Sequence, residues 1–286
     1  MTAKRKKFRI WRLLRTCLLL CILAVAARGA LAYITTSLPA ATPSAEQTDA
    51  LQSDKQRVYT APLAALKKSN PKIKKQIETI INNLDAYPEN YLDLLLHNPE
   101  TADFVAAYPN RDQLGTKAPV TVKKGELPLF LQWDQRWGYN DYGSSCIAIS
   151  GCGPTSLSMV YCGLTGDASY TPDKMAAFSD GRGYYTSAGT SWKLMTEGAR
   201  ALGLTSSELP ADAGVMKAAL EKGNPLIISV GPGDFTTEGH FLVITGVTHN
   251  GRFTVLDPNS REKTEKNWTA EKLLPQILNI WSFSKA

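Results

Sequence analysis

The sequence predicts an α+β fold with helices first and an antiparallel sheet after, and three observations carry that prediction. Apolar residues recur at helical spacing through the first half. Short runs rich in Ile, Val and Phe take over in the last third, and Asn250-Gly251 lies between two of them as the strongest hairpin signal in the chain. At 286 residues, 43% hydrophobic and 20% charged, the chain has room for one sizeable domain plus an accessory segment. It contains no internal repeat, low-complexity tract or P-loop.

The elements follow in order. Residues 1–32 hold eight basic residues (Lys4, Arg5, Lys6, Lys7, Arg9, Arg12, Arg15 and Arg28) and no acid, then an apolar run from Cys17 to Ala27, then an A-x-A pattern at Ala30 and Ala32 before Tyr33. This is the pattern of an export signal. The apolar run falls short of the ~20 residues that span a bilayer. An uncleaved anchor would have to run on through Tyr33 and Ile34 and carry Arg28, which costs roughly 2.5 kcal/mol or more near the bilayer centre. A cleaved signal peptide and a signal anchor both stay open, and either one places the rest of the chain outside the cytoplasm, secreted or held at the membrane by this segment. A lipoprotein reading at Cys21 meets the large Leu20 where a small residue is needed.

The net charge of +6 belongs to that segment: without it 24 basic residues face 26 acidic ones, which removes the ground for a nucleic-acid partner. Residues 33–56 are polar and without period and read as a linker. Residues 57–115 read as a small helical region. Ile73, Ile77, Ile80, Ile81 and Leu84 share one helical face stopped by Pro88, a short helix covers Tyr91 to Leu96, and Asn98 with Pro99 opens a third through Phe104 and Val105.

From residue 126 to 286 helix and strand mix. A helix opens at Cys152, with Leu157, Val160, Tyr161 and Leu164 at helical spacing, and closes near Gly163. Thr171-Pro172 and Thr190-Ser191 are further N-cap signals, and Gly203 and Gly223 sit where C-caps belong. Leu226 to Val230, Phe241 to Val247 and Arg252 to Leu256 read as strands.

The chemistry gathers on few residues. After the first 32 residues three cysteines remain, Cys146, Cys152 and Cys162, and an odd number leaves at least one thiol unpaired in an oxidising compartment. Cys152, between Gly151 and Gly153, stands at a helix start, where the dipole and a neighbouring histidine favour thiolate. The glycines remove side chains that would block a carbonyl carbon. A disulfide with Cys146 and a small buried hydrophobe are its other readings. Cys146 reads as a small hydrophobe or a regulatory thiol, and Cys162, on the apolar side of the helix, as core.

Of three histidines, His97 lies among the helices and His249 beside Asn250 in the turn, whereas His240 separates a glycine-bearing loop from a strand. That position gives a base rigid support on one side and access on the other. The hairpin brings Asp257, at the end of the next strand, to the outer nitrogen of His240, where it fixes the tautomer and stabilises the imidazolium. The Cys152 backbone N–H is one candidate oxyanion donor and Gln132 a second. A zinc site from Cys146, Cys152 and His240 lacks the C-x-x-C spacing of a structural site. The chemistry therefore calls for no metal and no cofactor. Asp257, before a proline, is also a plain turn-former, and Trp133, Trp137, Tyr184, Tyr185 and Trp192 are ordinary core aromatics, with one or two of them lining a groove.

Four motifs in order, LPLFLQWDQRWGY (127–139), GCGPTS (151–156), GHFLVITG (239–246) and VLDPN (255–259), resemble the C39-like peptidase family of the papain-like cysteine peptidase superfamily. The resemblance covers about residues 126–262 by motif. It implies a papain-like fold in which the helix bearing the nucleophile packs on an antiparallel sheet, a triad at Cys152, His240 and Asp257, and an oxyanion glutamine at Gln132. It also implies a thiol hydrolase acting on a peptide or protein. The better-studied branch of that family cleaves leader peptides after a double glycine as part of a transporter. This chain departs from it by showing neither a transmembrane bundle nor a nucleotide-binding domain. Peptidoglycan stem peptides are a second substrate class, and a non-catalytic papain-like binding module at the cell surface is the reading without turnover. The NPET stretch at Asn98 and an AYP tripeptide resemble segments found ahead of this domain in exported bacterial proteins.

Overall fold

The structure is a computed structural model that describes residues 45–114 and 119–286. The expected targeting segment, residues 1–32, and the first part of the expected linker, 33–44, lie outside the described residues. Two compact units divide the chain, Met1–Asp54 and Lys55–Ala286. Of the first, the described residues are the opening turns of α1 (Ala45–Ser69), a helix that continues into the second. The linker expected over 33–56 is therefore corrected from residue 45 onward: it is helical. The reason lies in composition, because 45–61 contain neither Gly nor Pro and are rich in Ala and Gln, and polar residues on every face hide the helical period. No helix of the described residues is long and apolar enough to cross a membrane.

Three further short helices follow, α2 (Lys74–Ile81), α3 (Glu89–His97) and α4 (Ala102–Ala107), joined by single 3-10 turns. The one long helix expected from Pro71 to Leu84 is split: Pro71–Ile73 and Leu84–Ala86 are 3-10 turns on either side of α2. The buried residues of these helices, Leu63, Ile77, Ile80, Leu84, Leu92, Leu95 and Phe104 among them, form one cluster with Leu131, Trp133, Cys146 and Ala148. The helical region thus completes its core only with residues from the following 126–286 stretch, as a segment of this size requires. Tyr91, Phe104 and Tyr139 stack in its middle, with ring centroids of Phe104 and Tyr139 4.2 Å apart.

A small hairpin, β1 (Asp141–Tyr142) with β2 (Ser145–Cys146), leads through α5 (Ile147–Ser150) into α6 (Cys152–Thr165). Every residue of α6 from Gly153 to Gly163 is buried. The helix ends at Gly166, in the left-handed region at φ 74°, rather than near Gly163. Gly163 serves packing instead: a Cβ there would lie 2.8 Å from Leu127 Cγ and 2.9 Å from its Cα. Next come α7 (Pro172–Gly181), the hairpin β3 (Tyr185–Thr186) with β4 (Gly189–Thr190), a π-turn over Leu194–Gly198 and α8 (Ala199–Ala201).

The main sheet has six strands, all antiparallel, in the order β5 (Leu204–Leu209), β10 (Ile277–Lys285), β6 (Leu226–Val230), β7 (His240–Val247), β8 (Phe253–Leu256), β9 (Asn267–Trp268). Between these strands in sequence lie α9 (Ala213–Glu221), α10 (Arg261–Thr264) and α11 (Ala270–Leu273). The period of two sorts the side chains: Ile227, Phe241, Val243, Trp281 and Phe283 join the cluster of α6, whereas Leu226, Ile228, Leu242, Ile244 and Ile280 join Met216 of α9 and Leu273 of α11. Burial on both faces explains why β6 and β7 read as continuous apolar runs. The β7–β8 hairpin turns over 248–252 with Gly251 at φ 77° and Gly251 N donating to Thr248 O at 2.8 Å. Gly203 and Gly223 are likewise left-handed and stop their helices.

One cluster shared by the helical region and residues 131–148 makes them one cooperative unit. Leu92→Ala, which empties a fully buried position of that cluster, should cost about 2–5 kcal/mol in urea unfolding. Tryptophan fluorescence and far-UV circular dichroism should still trace a single coincident transition, and two separated transitions would show that the units fold apart.

Candidate active site

Cys152 is the first residue of α6, presented by the tight turn before it: Gly151 N donates to Ile147 O at 2.8 Å and Thr155 N to Gly151 O at 3.0 Å. Its side chain is half-buried, whereas Gly153 to Gly163 behind it are buried. The flanking glycines are also required by packing. A Cβ at Gly151 would lie 2.5 Å from Ile147 O, and one at Gly153 2.7 Å from Thr190 Cγ2. They are packing requirements of the wall around Cys152, a wall that Thr190 Oγ1 extends by bonding Tyr142 Oη at 2.9 Å.

His240 opens β7, buried, opposite Val230 of β6. Extending the β7–β8 register Val243↔Leu256 by one residue sets Asp257 beside Leu242, diagonal to His240. The two side chains meet there, His240 Nε2 to Asp257 Oδ1 at 2.7 Å, and Asp257 is fully buried. Burial pushes the His240 imidazole down, but the Asp257 charge and hydrogen bond, followed by the Cys152 sulfur as a further hydrogen-bond partner, outweigh it and raise the group to about 10, well above its ordinary range. The structure therefore brings Cys152, His240 and Asp257 to one place, with the thiol and the carboxylate both acting on a single ring.

Gln132 is buried beside them. Its backbone N–H donates to Pro258 O at 2.7 Å and its Nε2 to Ala148 O at 2.7 Å, tying the turn after Asp257 to the turn before Cys152. A primary amide has two hydrogens, so the bond to Ala148 leaves one for a ligand. Trp133 is more than core: its Nε1 donates to Asn259 O at 2.9 Å. Asn259 N in turn donates to Asp257 Oδ1 at 2.8 Å, the oxygen that also meets His240. Sequence reasoning missed Asn259, although the VLDPN motif ends on it.

The remaining candidates separate cleanly. Cys146, Cys152 and Cys162 are all free thiols, which removes the Cys146–Cys152 bridge. Cys146 is buried where the helical region packs, with Tyr91 Oη donating to its Sγ at 3.3 Å, and burial raises its thiol. Burial likewise raises Cys162, to about 11. His97 and His249 are exposed. Trp137 and Tyr184 are core, while Tyr185 Oη bonds Ser144 Oγ at 3.1 Å and Trp192 is 45% exposed against Trp281. Among the described residues no group of three or more His, Cys, Asp or Glu side chains is placed to hold a metal ion. A groove of about 600 Å³ runs along the Asp257 side, between Asn98, Glu100, Phe235 and Asn259, and does not reach Cys152.

Comparison with known proteins gave one family match, to the Peptidase_C39 like family over residues 125–284, more than half of the chain. Similar solved structures include the peptidase domain of Streptococcus ComA, a bi-functional ABC transporter involved in a quorum sensing pathway, at 19% identity and a TM-score of 0.37, covering 48% of this chain and 93% of that one. Another is a chain from Bacillus anthracis described as a C39-like peptidase, at 16% identity and a TM-score of 0.33, covering 59% and 99%. No curated protein matches.

The thiol environments predict selective labelling. Cys146 and Cys162, buried and raised, stay protonated near neutral pH, so iodoacetamide at pH 7.5 should modify Cys152 alone among the three, as read by peptide mass spectrometry. Equal labelling of Cys162 in the native chain would contradict the burial described.

Proposed function

Since the chain belongs to the Peptidase_C39 like family, we propose that it is a cysteine peptidase working outside the cytoplasm, hydrolysing peptide bonds through Cys152, His240 and Asp257. The observation that carries this reading is the 2.7 Å contact of His240 Nε2 with Asp257 Oδ1, made by a ring that also has the Cys152 sulfur as a hydrogen-bond partner. The basic, apolar and A-x-A pattern of residues 1–32 supports the extracytoplasmic placement and contact with the membrane.

His240 takes the Cys152 proton, and Asp257 stabilises the imidazolium that forms. The thiolate adds to the carbonyl carbon and a C–S bond forms, while the oxyanion is held by the Cys152 N–H and the second Gln132 amide hydrogen. His240 then gives its proton to the departing amine, the C–N bond breaks and a thioester remains. Water, losing a proton to His240, attacks the thioester. The C–S bond breaks, a carboxylic acid product leaves, and the thiolate–imidazolium pair is restored.

The full chain and its Cys152→Ala variant, each incubated with a peptide library and with purified peptidoglycan, test the reading. Peptides cut by the wild type and at least about 10³-fold more slowly by the variant are expected. Release of stem peptides alone would assign the wall substrate, and no cleavage by either chain would leave a binding module. The pH profile supplies a second check. An imidazolium held by Asp257 persists well above pH 6.5, so activity should be retained into the alkaline range and fall as pH rises through the raised His240 value. Asp257→Asn removes the charge that holds it and should move that fall toward neutral pH, with kcat lowered roughly 10²-fold or more. An unchanged alkaline limb would sink the role given to Asp257.

A further inference from the structure

The AsnProGluThr stretch, residues 98–101, joins two short helices far from the triad in sequence, and its own capping is internal. Asn98 Oδ1 accepts from Glu100 N at 3.1 Å and Thr101 Oγ1 donates to Asn98 O at 2.7 Å. The Asn98 amide nitrogen and the Glu100 carboxylate are left to act elsewhere, and both reach across some 160 residues of sequence to the turn that follows Asp257. Asn98 Nδ2 donates to Asn259 O at 2.6 Å and to Asn259 Oδ1 at 3.2 Å. Glu100 Oε1 accepts from Ser260 Oγ at 2.5 Å and Glu262 N at 3.3 Å, and Oε2 from Arg261 N at 2.9 Å.

These bonds take up groups of the turn that would otherwise need water. Glu100 supplies the acceptors that the first N–H groups of α10 lack, and its charge suits that end of a helix. The Arg261 guanidinium lies 5.3 Å from the Trp133 ring centroid, and Lys263 Nζ bonds Phe235 O at 2.9 Å, so the neighbouring cations are engaged on the turn's other sides. Asn259, gripped by Asn98 and Trp133, places its own N–H on Asp257 Oδ1. The path from Asn98 to His240 is thus Asn259, then Asp257, every step a hydrogen bond of 2.8 Å or less.

Building on the peptidase reading, we propose that Asn98 and Glu100 are positioning residues: the helical region clamps the Asp257–Ser260 turn and so fixes the carboxylate that holds His240. The helical region is then a part of the working site rather than a cover over it. A purely structural role would lower stability and leave His240 as it was.

Ring nitrogen NMR of the full chain reads His240 directly, without turnover, and His249, exposed in the hairpin, is the internal control. Glu100→Gln offers an amide to N–H donors that need an acceptor, and Asn98→Ser keeps a helix cap but is too short to hold Asn259. In the double variant the His240 midpoint should fall by about one pH unit, a tenfold loss of the charged form's advantage, with His249 unmoved. The kcat for peptide cleavage should fall while KM holds. If the double variant does not fold, Asn98→Ser alone carries the same expectation. Gln76→Ala, which loses a bond to Asp103 within the helical region, should leave the midpoint in place. A folded variant with the wild-type midpoint overturns the clamp. A lowered midpoint in a chain that cuts no peptide upholds the clamp and removes only the peptidase reading.

Discussion

A fully buried carboxylate facing a buried imidazole is the constraint around which this half of the molecule is arranged. Two such groups leave water at a cost of several kcal/mol each, recovered only when geometry and surrounding hydrogen bonds are complete. The sheet meets the geometric part, because the β7–β8 register sets His240 and Asp257 on a diagonal. The turn that carries Asp257 is held by chain from elsewhere: Gln132 N on Pro258 O, Trp133 Nε1 on Asn259 O, and Asn98 and Glu100 from the helical region. No single element holds Asp257. Three separate segments, β7, residues 132–133 and residues 98–100, converge on one turn.

That convergence marks the boundary of what could be read in sequence. The helix at Cys152 was legible because Gly151, Gly153 and Pro154 announce a start and the apolar spacing continues it. Strands β6 to β8 were legible because burial on both faces makes them apolar throughout. Strand β5 was not, since LTSSEL lies at the sheet edge with most of its side chains outside the core. Strand β10 was missed for a different reason. A register shift between Ile277 and Asn279 and the buried Ser282 interrupt its alternation. The helix over residues 45–56 was hidden by polarity on every face. Of the site, Cys152, His240 and Asp257 were nameable from residue type and hairpin logic, whereas Asn98, Glu100 and Asn259 act through backbone groups some 160 residues apart, which no local pattern records.

The three cysteines among the described residues show how environment divides one residue type. All are free, yet Cys146 and Cys162 are enclosed by apolar side chains that disfavour their charged form. Cys152 alone combines partial exposure, a helix start and a histidine partner. Position, rather than the count of thiols, decides which one can react.

The core cluster that joins Leu63, Ile80 and Leu92 to Leu131, Trp133 and Ala148 has a consequence for how such a protein is processed. A cut in the connector between residues 108 and 125 would sever the chain without separating the pieces, since both contribute side chains to one apolar interior. The product is a two-chain protein held together noncovalently. A fragment starting near residue 125 would carry Leu131, Trp133, Cys146 and Ala148 into solution without the side chains they pack against.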